Sequence, residues 1–312
     1  MANYLITGGT GLIGCALIEQ LKKSPASIYV LTRNKKRAVQ QFGFSVNLVE
    51  SLSDIAPQVN IDFIINLAGE PIADKRWSTR QKLEIWQSRV ELTNRLVKWI
   101  KHRELKPKVL LSGSAVGWYG DGKDRVLTES SSPHNEFTHQ LCQAWEDAAL
   151  AAEEFNVRVC LLRTGLVISP AGGFLSKMLL PFKFGLGARL GNGQQYMPWV
   201  HIDDYINAVL LLLDPREEDT DLCHGPFNLA SPNPVTNKVF SQTLAKVLSK
   251  PCFLFIPAWC LNLALGEMAR LVLTGQNAVP DKLQQLGFQF QFNHLQKALQ
   301  NVLKQPDSKG KN

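Results

Sequence analysis

Apolar and polar positions alternate in blocks along the first half of the chain. Between the shorter apolar runs, apolar residues recur at three- and four-residue spacing, which indicates helices over residues 12–21, 78–102 and 136–155. The short runs themselves, rich in β-branched residues, indicate buried strands at residues 4–6, 27–32, 45–49, 61–67, 108–111 and 157–162. Strands that alternate with helices in this way predict an α/β fold with a doubly wound parallel sheet.

The first predicted strand leads directly into a glycine-rich turn. Gly8, Gly11 and Gly14 follow it at intervals of three and open the first helix. Glycine allows the tight turn and the close approach of a pyrophosphate, and the helix N-terminus offers free N–H groups to phosphates. This combination predicts a Rossmann-type dinucleotide-binding domain. The contacts expected in the turn are Gly8, Thr10, Gly11, Leu12, Ile13 and Gly14.

The residues after the second strand indicate which nicotinamide dinucleotide is bound. NAD is recognised by an acidic residue about twenty positions after the glycines, which binds the ribose hydroxyls. This chain has Arg33 and Asn34 there, followed by three further basic residues. Because a guanidinium can clamp a 2′-phosphate with two parallel hydrogen bonds, the sequence predicts NADP(H) in preference to NAD(H).

Residues near the carboxyl ends of the other strands complete the expected cofactor site. Small side chains at this edge of a parallel sheet leave room for a ligand. The residues assigned there are Leu67, Ala68, Gly69, Ser112 and Thr164.

The pattern changes after Gly165, where glycines become frequent between residues 172 and 193. This density favours a loop over a site, and most of the remaining chain has helical spacing apart from a return strand at residues 227–229. We therefore expect a smaller, mostly helical C-terminal substrate domain, followed by a disordered polar tail. The predicted boundaries are residues 1–168 with 200–232 for the dinucleotide-binding domain, residues 169–199 with 233–304 for the substrate domain, and residues 305–312 for the tail.

Composition narrows the classes of partner and compartment. The net charge of +7 comes from dispersed Lys and Arg without a basic, aromatic recognition helix, so we expect no nucleic acid partner. No apolar run approaches the roughly eighteen residues of a membrane span, and no basic leader begins the chain, so we expect no membrane partner and a cytoplasmic location. The six cysteines lack a C-x-x-C pair, which favours reduced thiols over disulfides or a metal site.

Several motifs resemble those of the atypical extended short-chain dehydrogenase/reductases. Within that group the chain is similar to the epimerase-family subgroup labelled nucleoside-diphosphate-sugar epimerases, which has a small C-terminal domain. The resemblance implies bound NADP(H), a site between the domains and a homodimer through the helix at residues 78–102. It rests on residues 7–14, 66–69, 88–90, 112–117, 145–146, 180–187, 197–204, 275–283 and 287–288.

The resemblance also assigns catalytic and pocket residues. Ser114 matches the Ser that holds the substrate oxygen, but Thr138 and Cys142 occupy the positions of the proton-carrying Tyr and its Lys. Tyr119 is one candidate for the proton carrier, because it follows the Ser strand and can turn back towards Ser114. His201, Asp203 and His139 are the other candidates. The residues expected in the substrate pocket are Trp86, Arg89, Met178, Trp199 and His201.

Two functions of different classes remain open on these residues. The first is an NADP(H)-dependent oxidoreductase or epimerase that acts on a small polar substrate such as a sugar nucleotide. The second is a sensor or regulatory protein that binds NADP(H) without turnover, because the Tyr and Lys are missing.

Overall fold

A seven-stranded parallel sheet forms the centre of the molecule in a computed structural model that describes residues 1–304. The strand order is β7-β6-β5-β4-β1-β2-β3, so the chain reverses direction across the sheet between β1 and β4. The predicted doubly wound α/β fold is confirmed. The strands are β1 (Ala2–Thr7), β2 (Ala26–Leu31), β3 (Asn47–Val49), β4 (Phe63–Asn66), β5 (Val109–Ala115), β6 (Arg158–Thr164) and β7 (Gly225–Leu229).

Helices cover both faces of this sheet. On one face, the helices Leu12–Leu21 and Ile202–Leu213 pack on a core cluster that includes Leu17, Val30 and Val209. On the other face, the helices Leu92–Lys101 and Phe137–Leu150 pack on a cluster that includes Leu96 and Val159. The sheet is therefore buried on both sides, which is why its central strands are almost continuously apolar. The helices that flank the sheet are α1 (Leu12–Leu21), α2 (Lys35–Phe42), α3 (Thr79–Trp86), α4 (Leu92–Lys101), α5 (Phe137–Leu150) and, later in the chain, Ile202–Leu213.

A third apolar cluster, which contains Ile168, Trp199 and Phe240, lies in the C-terminal half. The helices there are α6 (Phe174–Lys183), α7 (Ile202–Leu213), α8 (Asn237–Val247), α9 (Ala258–Leu265), α10 (Arg270–Leu273), α11 (Asp281–Gln285) and α12 (Leu295–Lys304). Paired short strands join them, at Leu166–Ile168 with Trp199–His201, Ala188–Leu190 with Leu254–Ile256, Tyr196–Met197 with Val235–Thr236, and Val126–Leu127 with Asn277–Ala278. The division into two domains stays a prediction, and the expected tail at 305–312 lies outside the described residues.

Two elements differ from the sequence-based expectation in ways that affect the site. Strand β5 runs on to Ala115, so Ser112 and Ser114 belong to the strand itself. The helix expected over residues 78–102 is interrupted by a π-helical turn at Gln87–Glu91. Such turns widen the helix by one residue and occur often at functional sites.

None of the six cysteines, all of which lie within residues 1–304, forms a disulfide bond. Across residues 1–304, no helix combines the length and the apolar composition needed to cross a bilayer.

Candidate functional site

The glycine turn after β1 packs directly against the segment that follows β4. Gly8 has a φ of +67°, and a Cβ added to it would lie 2.6 Å from the carbonyl carbon and oxygen of Leu67. A Cβ at Gly14 would lie 2.5 Å from the carbonyl oxygen of Gly8. The glycine turn therefore packs against α1 and against the segment after β4 as closely as backbone atoms allow. This contact lies at the carboxyl edge of the sheet, where the strand order reverses.

The N-terminus of α1 keeps its donors available. Gly11 caps the helix without a side-chain hydrogen bond, and the first turn contains no acidic residue. The amides of Leu12 and Ile13 therefore point out of the helix with a partial positive charge, which suits a pyrophosphate. Gly173 meets this turn from the C-terminal half, since a Cβ there would lie 3.1 Å from Leu12 Cδ2.

The end of β2 presents positive charge to solvent. The Arg33 side chain is 90% exposed and its guanidinium lies 4.0 Å from the Glu70 carboxylate, which follows β4. Asn34 Oδ1 accepts a hydrogen bond from the Arg37 amide and so caps α2. No Asp or Glu occurs between residues 20 and 49, so the carboxylate that would bind a ribose diol is absent from this strand end.

A buried polar network supports the strand ends beneath this surface. Thr7 Oγ1 donates to Asn66 Oδ1 over 2.7 Å, and the Ala68 amide donates to Thr7 Oγ1 over 3.1 Å. Asn66 Nδ2 donates to Thr93 Oγ1 and Ser112 Oγ over 2.8 and 3.2 Å. Ser112 is fully buried, so its direct contribution here is to fix the backbone of β4 and β5. Its cofactor contact stays a prediction.

Ser114 lies beside a buried ion pair. Its hydroxyl donates to Glu146 Oε1 over 2.6 Å. Arg163, in the neighbouring strand β6, donates from Nε and Nη2 to the two oxygens of Glu146, each over 2.9 Å. The side chains of Arg163 and Glu146 are 3% and 4% exposed. This bidentate pair holds the carboxylate in one orientation, in which Glu146 Oε1 accepts the Ser114 proton.

The Arg163 guanidinium also contacts two aromatic residues. It stacks on Trp118 with 3.6 Å to the ring centroid, and Nη1 donates to the Tyr119 hydroxyl over 3.1 Å. Burial alone would lower the pKa of Arg163, but the hydrogen bonds and charge of Glu146 raise it. The guanidinium therefore stays charged in the interior.

Tyr119 is fully buried and its hydroxyl is engaged on both sides. It donates to Asn228 Oδ1 over 2.8 Å and accepts from Arg163. Burial raises the pKa of Tyr119 to about 12, against the opposing charge of Arg163. At this pKa the phenol is protonated at neutral pH, and its catalytic assignment stays a prediction.

The positions of the missing Tyr and Lys hold groups that are poor proton carriers. Thr138 Oγ1 donates to Glu136 Oε1 over 2.8 Å. Burial raises the pKa of the Cys142 thiol to about 12, and the charge of Glu146 raises it further. Neither group ionises near neutral pH, so neither replaces a phenol that is paired with an ammonium.

The predicted pocket residues lie at separate places in the fold. Arg89, in the π-helical turn, donates Nη1 to the Glu70 carbonyl oxygen over 2.9 Å and lies within 2.8 Å of the Cβ position of Gly69. Trp199 is buried and donates to the Asn233 carbonyl oxygen. Trp86 and Met178 are partly buried against apolar clusters. Only Arg89 borders the β4 end.

His201 is 1% exposed and serves the fold. Its Nδ1 accepts from the Asp203 amide at the start of α7, and its ring stacks on Phe292 with 3.8 Å between centroids. Burial lowers the pKa of His201, although Asp203 and Asp204 oppose this shift. Its place in the substrate pocket stays a prediction, and its packing favours a capping role.

Sequence reasoning did not assign Glu146 and Arg163 to the site. Glu146 belongs to the family motif at residues 145–146, and Arg163 directly follows the strand predicted at residues 157–162. The sequence does contain one signal for Arg163. A charged residue in an otherwise buried apolar strand requires a partner of opposite charge, so such a residue indicates a buried ion pair. Spacing alone does not identify that partner on another element.

Comparisons with known proteins agree with this geometry. A model of the NAD dependent epimerase/dehydratase family matches residues 4–230, and a model of a domain of unknown function, DUF1731, matches residues 256–302. Epimerase family protein MW0731 of Staphylococcus aureus strain MW2 is 38% identical over 307 residues, which span 98% of this chain and 100% of that protein.

Two solved structures extend the comparison. The crystal structure of human epimerase family protein SDR39U1 (isoform 2) with NADPH has a TM-score of 0.85 at 29% identity and covers 96% of this chain and 98% of its own. The nucleoside-diphosphate sugar epimerase from Corynebacterium glutamicum has a TM-score of 0.75 at 27% identity and covers 97% of this chain, which spans 58% of that longer protein. The chain therefore belongs to the NAD dependent epimerase/dehydratase family, as an atypical extended short-chain dehydrogenase/reductase with a DUF1731 domain.

Proposed function

We propose that this protein binds NADP(H) and catalyses oxidoreduction or epimerisation of a small polar substrate at Ser114. The observation that carries the proposal is the glycine turn, where Gly8 and Gly14 leave no space for side chains and the amides at the start of α1 remain free. NADPH in the crystal structure of the human relative supports the same choice of cofactor. When bound, NADP(H) supplies hydride acceptance or donation at nicotinamide C4.

Arg33 would select the phosphorylated dinucleotide. Its side chain is 90% exposed, and its only carboxylate neighbour in residues 1–304 is Glu70 at 4.0 Å, which is too distant for a close ion pair. A 2′-phosphate offers the guanidinium a shorter, bidentate partner. The absence of an acidic residue between positions 20 and 49 removes the group that would favour NAD.

Ser114 would bind the oxygen of the substrate. Because its hydroxyl proton is directed to Glu146 Oε1, the Ser114 oxygen presents lone pairs that can accept a hydrogen bond from a substrate hydroxyl. During oxidation the substrate O–H proton passes to Ser114 Oγ, and the Ser114 proton passes to Glu146 Oε1. Reduction follows the reverse path. Arg163 acts as a positioning residue, because its two bonds hold Glu146 in line with Ser114.

A second function, cofactor binding without turnover, is favoured by one set of observations. The groups at the Tyr and Lys positions and Tyr119 do not ionise near neutral pH, since burial raises the pKa of Tyr119 and of Cys142 to about 12. If Glu146 does not accept the proton, the fold would retain a cofactor whose redox state it reports to a partner.

Two assays separate these functions. Titration calorimetry measures the binding of NADPH and NADH. Absorbance then follows NADPH oxidation and NADP reduction in the presence of sugar nucleotides, aldehydes and alcohols. We expect tighter binding of NADPH and turnover with one substrate. Ser114→Ala and Glu146→Gln should lower kcat and keep the affinity for NADPH, whereas the exposed-site controls Ser24→Ala and Glu153→Gln should change neither. Tight binding without turnover would favour the sensor, and failure to bind either cofactor would refute both functions.

A further inference from the structure

Residues 251–266 form an uncharged stretch of sixteen residues at the surface of the C-terminal half. Phe253, Phe255, Trp259 and Leu263 are 78%, 57%, 69% and 74% exposed. Helix α9 contains six apolar aliphatic or aromatic residues, yet Leu261 is its one buried residue. The apolar pattern of this stretch therefore does not serve the interior of the protein.

A second exposed apolar segment lies next to the first. Leu180, Phe184 and Leu186 are 65%, 74% and 61% exposed. The strand Ala188–Leu190 that follows them pairs with Leu254–Ile256, and a Cβ at Gly185 would lie 3.6 Å from Pro251. We call the combined surface the apolar face; it consists of Leu180, Phe184, Leu186, Phe253, Leu254, Phe255, Ile256, Trp259 and Leu263.

The apolar face is large for a monomer. At roughly 200 Å² for each aromatic side chain, the four aromatic residues alone expose about 550 Å², and the five aliphatic residues add to it. The largest apolar patch on an ordinary monomer is about 300–600 Å², and larger patches mark sites of interaction.

The segments that contain the apolar face carry charge of a single sign. Segments 164–202 and 222–266 contain no Asp or Glu, although the whole chain has 27. They carry six cations, which account for all but one unit of the net charge of +7. These cations are Lys177, Lys183, Arg189, Lys238, Lys246 and Lys250.

Two of these cations lie directly beside the aromatic residues. Arg189 and Lys238 line a cavity of about 270 Å³ together with Phe253, and the Arg189 guanidinium lies 5.6 Å from the Phe255 ring centroid. Within residues 1–304, Lys177 is the only one of the six that forms an ion pair, with Asp74. The other positive charges are free to meet an external anion.

We propose that the apolar face docks this protein onto the surface of a lipid bilayer that contains anionic lipids. Exposed aromatic and aliphatic side chains insert at the headgroup boundary, and unpaired Lys and Arg around them attract anionic headgroups. A second copy of the chain fits less well, because a two-fold interface would bring these like charges together. The contact is peripheral, since no helix in residues 1–304 can span a bilayer. It departs from the sequence-based expectation of no membrane partner, which rested on the lack of a spanning apolar run.

Co-sedimentation of the full-length protein with vesicles tests the proposal. We expect binding to phosphatidylcholine vesicles that contain phosphatidylglycerol, weak binding to pure phosphatidylcholine, and loss of binding at high salt. Lys183→Glu with Lys250→Glu should lower the partition coefficient at least about fivefold for each residue. Phe253→Ser with Phe255→Ser should lower it roughly tenfold or more.

Matched variants at distant exposed positions control for charge and hydrophobicity. Lys23→Glu with Lys98→Glu makes the same change in net charge, and Phe44→Ser replaces a side chain that is 99% exposed. Thermal unfolding and NADPH affinity should be unchanged in all variants. The proposal is overturned if the vesicles do not bind the protein, if the control variants lose binding equally, or if light scattering shows a dimer that the face variants dissociate.

Discussion

The buried Arg163–Glu146 pair makes the interior of this fold sensitive to a single substitution. Arg163→Met keeps much of the side-chain volume but removes the cation. It deletes two 2.9 Å hydrogen bonds to Glu146 and the 3.1 Å bond to Tyr119. The Glu146 carboxylate then remains in the interior at 4% exposure without its partner.

The expected cost follows from this burial. Removal of one partner from a buried ion pair costs about 3–5 kcal/mol, because the remaining charge is desolvated without compensation. Loss of the stacking on Trp118, at 3.6 Å, adds roughly 1 kcal/mol. In a chain of this size the sum corresponds to a melting temperature lower by about 10 °C.

Thermal and urea unfolding of a double-mutant cycle measures the effect. Arg163→Met and Glu146→Gln should each destabilise the protein, and the double variant should lose less than the sum, with a coupling free energy of about 1–3 kcal/mol. Arg80→Met provides the control, because Arg80 is 89% exposed and pairs with Glu84 across one helical turn, where such pairs contribute about 0.5 kcal/mol or less. Additive single losses, or an Arg163→Met cost as small as that of Arg80→Met, would refute this account of the pair.

Three further substitutions test separate features. Arg33→Asp should weaken NADPH binding roughly 10–100-fold in calorimetry and leave unfolding unchanged; equal NADPH affinity would exclude Arg33 from the site. Gly8→Ala should destabilise the protein far more than Gly43→Ala, because both have positive φ but only Gly8 has Leu67 atoms within 2.6 Å of the added Cβ; similar unfolding midpoints would contradict this packing. Burial lowers the pKa of His201, so its contribution to stability is present above the unfolded pKa of about 6.5 and is lost as the pH falls through the lower folded value. His201→Gln should remove this component of the acid-side loss, and parallel stability–pH curves for the two proteins would show that His201 does not titrate in this window.

The sequence was sufficient for the fold class and for the turn on which the cofactor site is built. Strand β1, the glycines and α1 follow one another within about twenty residues, so each is visible as a local pattern. Gly8 and Gly14 were singled out because glycine is required there, and the 2.5–2.6 Å approaches of the added Cβ atoms explain that requirement. Family membership followed from the same kind of local motif and is confirmed.

The boundaries of helices and strands were harder to predict from the sequence. The helical spacing over residues 78–102 did not indicate the π-helical turn at Gln87–Glu91, because the turn continues the helix and its hydrogen bonds leave no separate mark in the apolar pattern. Similarly, the apolar run expected at 108–111 continues as strand through Ala115. Neighbouring strands β4 and β6 pair with those polar positions, so tertiary hydrogen bonds extend the strand.

The polar network around Ser114 is a property of the tertiary structure alone. Ser114, Glu146 and Arg163 come from β5, α5 and β6, which are distant in the sequence. Only the folded sheet with its packed helix brings Ser114 Oγ to 2.6 Å and the Arg163 guanidinium to 2.9 Å from the Glu146 carboxylate. The same holds for the apolar face, because the pattern of residues 251–266 is that of a buried segment and the fold leaves it exposed. The periodicity of apolar residues indicates which side chains avoid water. Contacts between distant elements decide which surface covers those side chains, and whether any surface of this chain covers them.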